Sequence, residues 1–201
     1  MIKQRVSTLK YVLAMNNNQK YLTEVFKFDN ATLVYAPEKV FQKDTFKYIL
    51  LQGGNPINEI LFDLIKYFVA SFDDNFFYLT ENTIINDLTS FTFSNNITWQ
   101  EFDKISETTN NGLTYLTLGD YYIYGQSGKW GIYRSEYWCI DIIGCENQYF
   151  SELNSTINLL WGLDNTQNID YIISLIEEEY NQFPNLRQEA SKFIENYFPY
   201  I

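Results

Sequence analysis

Residues 113–143 of this chain read LTYLTLGDYYIYGQSGKWGIYRSEYWCIDII. The stretch is dense in Tyr, Trp, Ile and Thr, which are residue types enriched in β-strands. Three short breaks that contain glycine or charged residues divide it into four runs of strand length. Short breaks of this kind connect neighbouring antiparallel strands, so the pattern predicts a four-stranded antiparallel meander. The predicted strands are Leu113–Leu118, Tyr121–Tyr124, Lys129–Tyr133 and Tyr137–Ile143.

The last of these strands indicates which face of the sheet packs on the core. Successive side chains point to opposite faces of a strand, so its residues divide into an apolar set and a set that includes a charge. The apolar set is Trp138, Ile140 and Ile142, and the other set is Tyr137, Cys139, Asp141 and Ile143. We expect the apolar set to face the core.

Outside the meander, the sequence predicts mostly helices. From Ile57 onward, apolar residues recur at spacings of three and four, which is the pattern of an amphipathic helix. Thr98 and Glu101 form a capping-box pattern that opens a second helix, and Pro37 followed by Gly53-Gly54 predicts the start and end of a third. Further predictions are helices at 1–15, 147–160, 170–182 and after Pro184 up to Tyr197, a hairpin of Tyr21–Phe28 with Thr32–Tyr35, and a strand at Phe76–Thr80.

These elements predict a single α+β domain over residues 1–201, with an antiparallel β-meander flanked by helices and a helical C-terminus. A length of 201 residues suits one domain. We expect a helix-rich part at 1–112, the β-meander at 113–143 and the C-terminal helices at 147–197. No internal repeat or low-complexity linker divides the chain.

The chain contains no histidine, which excludes Ser-His-Asp catalysis, Cys-His catalysis and zinc sites built on histidine. The glycine-rich stretch Gly125–Gly131 lacks the spacing of a phosphate-binding loop, and Trp130 stands where such a loop has Ser or Thr. Asp73-Asp74-Asn75 lacks the spaced ligands of an EF-hand calcium loop. We therefore predict no catalytic residue, no metal ligand and no cofactor, and we expect a protein that is not an enzyme.

Compartment signals are few. The two cysteines, Cys139 and Cys145, do not make a disulfide framework. No run has the ~20 uncharged apolar residues of a membrane span, and the N-terminal residues lack the apolar core of a signal peptide. The expected location is the cytoplasm, without membrane association, and the bias toward Asn, Ile, Lys, Tyr and Phe suggests a bacterial source.

The negative charge is concentrated in the second half of the chain. The whole sequence has 14 Lys+Arg against 25 Asp+Glu, a formal net charge of −11. Residues 1–100 hold 9 basic and 10 acidic side chains, whereas residues 101–201 hold 5 and 15. Nine acidic residues and no basic residue lie between Arg134 and Arg187. Such a surface repels phosphate backbones, so direct nucleic-acid binding is not expected.

An acidic surface of this kind suits a basic protein partner, because complementary charge steers the encounter. Aromatic side chains beside the acids add anchor area for an interface. A solvated acidic face that only keeps the protein soluble is the alternative interpretation. The predicted partner-binding residues are Glu136, Tyr137, Asp141, Glu146, Asp164, Asp170, Glu177 and Glu178.

The segment Gly128–Trp138, which reads GKWGIYRSEYW, and its continuation Asp141–Gly144, DIIG, carry a resemblance. They are similar to strand-turn-strand segments of the immunity proteins of bacterial polymorphic and contact-dependent toxin systems, which are small, acidic, aromatic-rich α+β proteins. The resemblance covers under a tenth of the chain. It implies an inhibitor that binds and neutralises a basic cognate toxin domain, often a nuclease, and it assigns no role to any residue.

Two other functions stay open. An acidic nucleic-acid mimic would occupy the groove of a DNA-binding protein and would need acids spaced regularly along an elongated surface. A carboxylate-based enzyme or small-ligand binder would need an aromatic-lined pocket of ~300 Å³ or more. The oligomeric state is left open by the sequence.

Overall fold

A six-stranded antiparallel sheet forms the centre of the fold. The computed structural model describes residues 18–29, 32–53, 57–81, 89–108, 120–161, 172–174, 176–178, 182–183 and 186–197. The sheet contains β3 (Phe46–Gln52), β4 (Phe76–Glu81), β5 (Thr89–Ser94), β6 (Tyr121–Gly125), β7 (Trp130–Ser135) and β8 (Ile140–Glu146), in the order β3-β8-β7-β6-β4-β5. Two short strands, β1 (Phe28–Asp29) and β2 (Thr32–Leu33), form a separate hairpin. With the helices around it, this sheet confirms the predicted α+β class.

The described helices pack on both sides of the sheet. They are α1 (Asn18–Val25), α2 (Glu59–Ser71), α3 (Trp99–Thr108), α4 (Phe150–Trp161) and α5 (Arg187–Tyr197), with a 3-10 turn at Asn147–Tyr149 and helical residues at 172–174 and 176–178. The amphipathic pattern that begins at Ile57 is confirmed as α2. Its first turn is capped by Asn58, whose side chain accepts a hydrogen bond from the Leu61 amide at 2.9 Å. None of the described helices has both the length and the apolar character needed to cross a bilayer.

The predicted meander is confirmed for three of its four strands. β6 pairs with β7 and β7 pairs with β8, each antiparallel. The fourth predicted strand, Leu113–Leu118, and the predicted helix at residues 1–15 lie outside the described residues.

The helix predicted between Pro37 and Gly53 is wrong, because residues Phe46–Gln52 form β3. All seven residues of β3 pair with β8, a long-range contact that outweighs the local punctuation by proline and glycine. The start of the predicted hairpin is also helical, in α1, and only the short β1–β2 hairpin remains. The part at 1–112, predicted to be helix-rich, thus contributes β3, β4 and β5, which is half of the central sheet.

The sheet is buried on both faces, so the expectation of a single core face is wrong in part. One face packs on α2, α3 and α4 and forms the first core. The other face packs on α1, α5 and the helical residues 172–174 and 176–178 and forms the second core. Trp138, Ile140 and Ile142 belong to the second core, as expected. Ile143, from the set that carries the charge, is fully buried in the first. The charge of that set is accommodated by pairing inside the protein, as described below.

Two glycines on neighbouring strands let aromatic rings lie directly on the sheet. Gly131 in β7 and Gly144 in β8 are cross-strand partners. A Cβ at Gly131 would lie 2.8 Å from Cζ of Phe26, and a Cβ at Gly144 would lie 2.7 Å from the ring of Phe41. The two rings stack with centroids 5.4 Å apart. Because these glycines have no side chain, Phe26 and Phe41 can pack directly on the sheet. This packing positions the chain on either side of the β1–β2 hairpin.

Residues 34–45, which we name the connecting segment, join β2 to β3 and are fastened by side-chain hydrogen bonds. The Ala36 amide donates to the Tyr133 hydroxyl at 3.3 Å, and the Val40 amide donates to the Tyr197 hydroxyl at 3.1 Å. The Asn196 side chain donates to the Pro37 carbonyl at 2.7 Å. The segment is thus held against β7 and α5 along its length, although it contains no regular strand or helix.

The capping box that opens α3 supplies a first prediction. Thr98 Oγ1 accepts a hydrogen bond from the Glu101 amide at 3.3 Å, and Glu101 Oε2 accepts one from the Thr98 amide at 2.9 Å. Thr98→Ala removes the cap and is expected to lower the free energy of unfolding by about 1 kcal/mol. Urea denaturation measures the change, with the exposed Thr45→Ala as control; equal effects of the two substitutions would refute the cap.

Candidate functional site

An acidic groove lies beside the β1–β2 hairpin and is lined by several charged side chains. Its volume is about 880 Å³. The walls come from the hairpin, the first part of the connecting segment, the region between β7 and β8, and α5. Four carboxylates and one ammonium line it, for a formal charge of −3. They are Asp29, Glu38, Asp120, Glu189 and Lys192.

Asp120, immediately before β6, is the fixed carboxylate of the groove. It accepts hydrogen bonds from the Tyr133 hydroxyl and, at 2.9 Å, from the Glu136 amide. Burial raises the pKa of Asp120, and these hydrogen bonds oppose that rise. The side chain is therefore held in one orientation by a side chain of β7 and by the first backbone amide after β7.

The rim of the groove carries exposed aromatic and charged side chains. Tyr35 is 56% exposed and Tyr137 is 57% exposed, and both line the groove. Lys192 forms an ion pair with Glu38, and an exposed pair of this kind contributes only about 0–1 kcal/mol to stability. A cationic side chain of another molecule can therefore replace Lys192 beside Glu38 at little cost in free energy. Carboxylates beside exposed tyrosines provide both charge and contact area for a protein interface.

The structure places only part of the predicted site at this groove. Tyr137 lines it, and Glu136 is exposed next to it, with its amide bonded to Asp120. Glu146 lies at the opposite end of β8 and pairs with Lys43 at 3.5 Å. Two other predicted residues, Glu177 and Glu178, are exposed and helical. Asp164 and Asp170 lie outside the described residues.

Asp141 was predicted at the partner-binding surface, and the structure corrects this. Its exposure is only 2%, and it pairs with Arg134, its cross-strand partner in β7. Arg134 Nε donates to Oδ1 at 2.5 Å and Nη2 donates to Oδ2 at 2.6 Å. This bidentate pair inside the first core satisfies the aspartate. Asp141 therefore contributes to the fold and cannot contact a partner at the surface.

Four groove residues were missed because they lie outside the interval that the charge count singled out. Asp29 and Glu38 belong to the half of the chain that is nearly neutral, and the fold brings them to the second half. Asp120 lies before Arg134 and Glu189 lies after Arg187. The connection between β1 and β2 was the available signal, since a predicted hairpin beside an acidic residue at 29 presents that residue at its tip.

Within the described part of the chain, no group of three or more cysteine or carboxylate side chains is placed to hold a metal ion. Comparisons with models of protein families, with curated proteins and with solved structures find no match for this chain. The geometry of the groove therefore carries the functional argument.

Proposed function

We propose that the protein is an immunity-type inhibitor that binds and neutralises a basic cognate toxin domain through the acidic groove. The observation that carries this proposal is the convergence of Asp29, Glu38, Asp120 and Glu189 on one groove with exposed tyrosines at its rim. The resemblance of residues 128–138 to immunity proteins agrees with it.

Charge and shape favour a basic protein as the occupant. The formal charge of −3 in the groove is part of a net charge of −11 on the whole chain, and such a field accelerates association with a cationic surface. Tyr35 and Tyr137 supply amphipathic rings that become anchors when a partner buries them. A lysine or arginine of the partner that enters the groove would find carboxylates on three of its walls.

The groove also bears on the alternatives. A nucleic-acid mimic needs acids in a regular line, and four carboxylates around one concavity suit an inserted basic side chain better. Small-ligand binding is a second candidate, because a volume of about 880 Å³ falls within the range of ligand sites. Native mass spectrometry of the purified protein distinguishes this candidate, since a retained small molecule adds a discrete mass.

Co-expression with the product of the adjacent gene tests the proposal. We expect the two proteins to co-purify and the inhibitor to restore growth to cells that produce the partner. Growth that stays arrested in the presence of a folded inhibitor would contradict an immunity role for that pair.

Charge reversal maps the interface. The double variant Asp29→Lys, Glu189→Lys is expected to weaken partner affinity by about tenfold or more, chiefly through slower association. Surface plasmon resonance at low and high salt measures this effect, and the salt dependence of the association rate should decrease in the variant.

Two control variants separate the groove from general charge. Glu24→Lys with Asp63→Lys makes the same change in net charge away from the groove and should lose much less affinity. Glu177→Lys with Glu178→Lys tests the site predicted from sequence alone. Equal losses in all three double variants would mean that net charge, rather than the groove, determines binding.

A further inference from the structure

A second groove, on the other side of the connecting segment, has the opposite charge. Its volume is about 530 Å³, and we name it the lysine groove. Four ammonium groups and one carboxylate line it, for a formal charge of +3 in a chain whose net charge is −11. The charged residues are Lys27, Lys39, Lys43, Lys47 and Asp44.

Three of the four ammonium groups have no hydrogen-bond or ion-pair partner among the described residues. Lys43 is engaged, because its Nζ donates to the Gly128 carbonyl at 2.6 Å and pairs with Glu146 at 3.5 Å. Across the described part of the chain, no hydrogen bond or ion pair holds the ammonium groups of Lys27, Lys39 and Lys47. Like charges gathered in one groove repel each other, so an anion that binds all three would relieve that repulsion.

The walls of the groove give it a definite shape. Phe41, Phe46 and Tyr197 are buried in the core beneath it, and Tyr48 is half-buried. The Tyr48 hydroxyl donates to the Asn196 carbonyl at 3.0 Å, which fastens the groove wall to α5. The lysine side chains thus rise from a packed aromatic base, and the concavity exists before any ligand enters.

We propose that the lysine groove binds a small phosphate-bearing ligand of about nucleotide size. The volume is within the range of small-ligand sites, and ammonium groups without a partner among the described residues are suited to phosphate oxygens. The size follows from charge. Screening confines the groove's attraction to about 8 Å at physiological salt, and a longer polyanion would extend beyond the groove over a chain whose net charge is −11.

This inference is independent of the proposed inhibitor function, because it concerns different residues on the other side of the connecting segment. It is compatible with the expectation that the acidic chain does not bind nucleic acid directly. That expectation came from net charge, and a ligand inside a groove responds to the local charge.

Isothermal titration calorimetry with pyrophosphate, ATP and a single-stranded oligonucleotide tests the proposal on the full chain. We expect pyrophosphate and ATP to bind with Kd below about 1 mM. Lys39→Glu with Lys47→Glu should raise both Kd values at least about tenfold. Lys20→Glu with Lys104→Glu makes the same change in net charge at exposed helical positions and should change them less than about twofold.

Each other result overturns the proposal. Absence of binding by both small anions removes the site, and equal weakening in the two double variants assigns binding to net charge. Tighter binding of the oligonucleotide than of ATP overturns the assignment to a small ligand. If the charge-reversed protein shows no cooperative unfolding, Lys39→Ala and Lys47→Ala are used instead, each expected to weaken ATP binding a few-fold.

Discussion

Replacing Arg134 with methionine is expected to lower the free energy of unfolding by about 3–5 kcal/mol, since one partner of a buried ion pair is removed. Asp141 would remain at 2% exposure without its cation and without both charge-assisted hydrogen bonds, while burial raises the pKa of its carboxyl. The guanidinium also lies 5.3 Å from the ring centroid of Tyr121, so packing in the first core is lost as well. Denaturation in guanidinium chloride, monitored by tryptophan fluorescence, measures the change in the free energy of unfolding.

Two controls locate the cause of this loss. Lys192→Met breaks an exposed ion pair and should cost about 1 kcal/mol or less. The double variant Arg134→Met, Asp141→Leu removes both charges and should recover much of the stability lost in the single variant. A double variant no more stable than Arg134→Met would show that the loss comes from packing and not from the unpaired carboxylate.

Glu81 is expected to make stability depend on pH near neutrality. Glu81 is the cross-strand partner of Tyr121, which in turn pairs with Arg134 across the sheet. Its side chain is only 7% exposed, and its Oε1 has no hydrogen-bond partner in the described structure. Burial raises the pKa of Glu81 from 4.5 to about 7. A raised pKa means that the folded protein holds the proton more tightly than the unfolded chain does.

The direction of the effect follows from that difference. Below about pH 4.5 the carboxyl is protonated in both states and adds no pH dependence. As pH rises toward about 7 the unfolded chain gains from ionisation and the folded protein does not, so stability falls. Above that pH the folded protein carries a buried charge, and the loss reaches its full value of about 3 kcal/mol.

Glu81→Gln separates this effect from other titrations. At pH 8 we expect the variant to be more stable than the wild type by about 3 kcal/mol, with a difference near zero at pH 4.5. Urea denaturation at a series of pH values measures both proteins, and Glu136→Gln, at an exposed position, is the control. A difference between wild type and variant that stays constant across the series would contradict the raised pKa.

The sequence predicted correctly those elements that depend on local interactions, and it failed where an element depends on residues distant in the chain. The spacing of three and four that predicted α2 and the short breaks that predicted β6, β7 and β8 are local signals. The strand β3 was mistaken for a helix because its pairing with β8 joins residues about 90 to 100 positions apart. Pro37 and Gly53 mark the ends of a segment in the sequence, whether the residues between them form a helix or a strand.

The burial of Asp141 shows a second limit. Alternation along β8 correctly placed Asp141 on the face opposite Ile142, but a charge on that face was taken to exclude a core. Whether a charge is paired depends on the residue across the strand. Arg134 stands directly opposite Asp141 in the register, and a register is set by two strands together.

The segment that carries the resemblance has a mainly internal role in this chain. Trp130, Ile132 and Tyr133 are fully buried, and Gly131 makes room for Phe26. Its exposed residues are Glu136 and Tyr137, beside the acidic groove. The sequence of this segment could therefore indicate a strand-turn-strand. The groove could not be predicted from it, because the groove forms where the β1–β2 hairpin and α5 pack beside the segment.

The connecting segment gives the two grooves a common wall. Its residues 34–38 line the acidic groove, and five of its next six residues, within 39–44, line the lysine groove. Any shift of this segment that one ligand favours changes the site of the other. Thermodynamic linkage then requires each ligand to alter the affinity of the other by the same factor. The two proposed sites, one for cations and one for anions, share this fastened peptide, so a shift of the peptide on binding at one site would couple it to binding at the other.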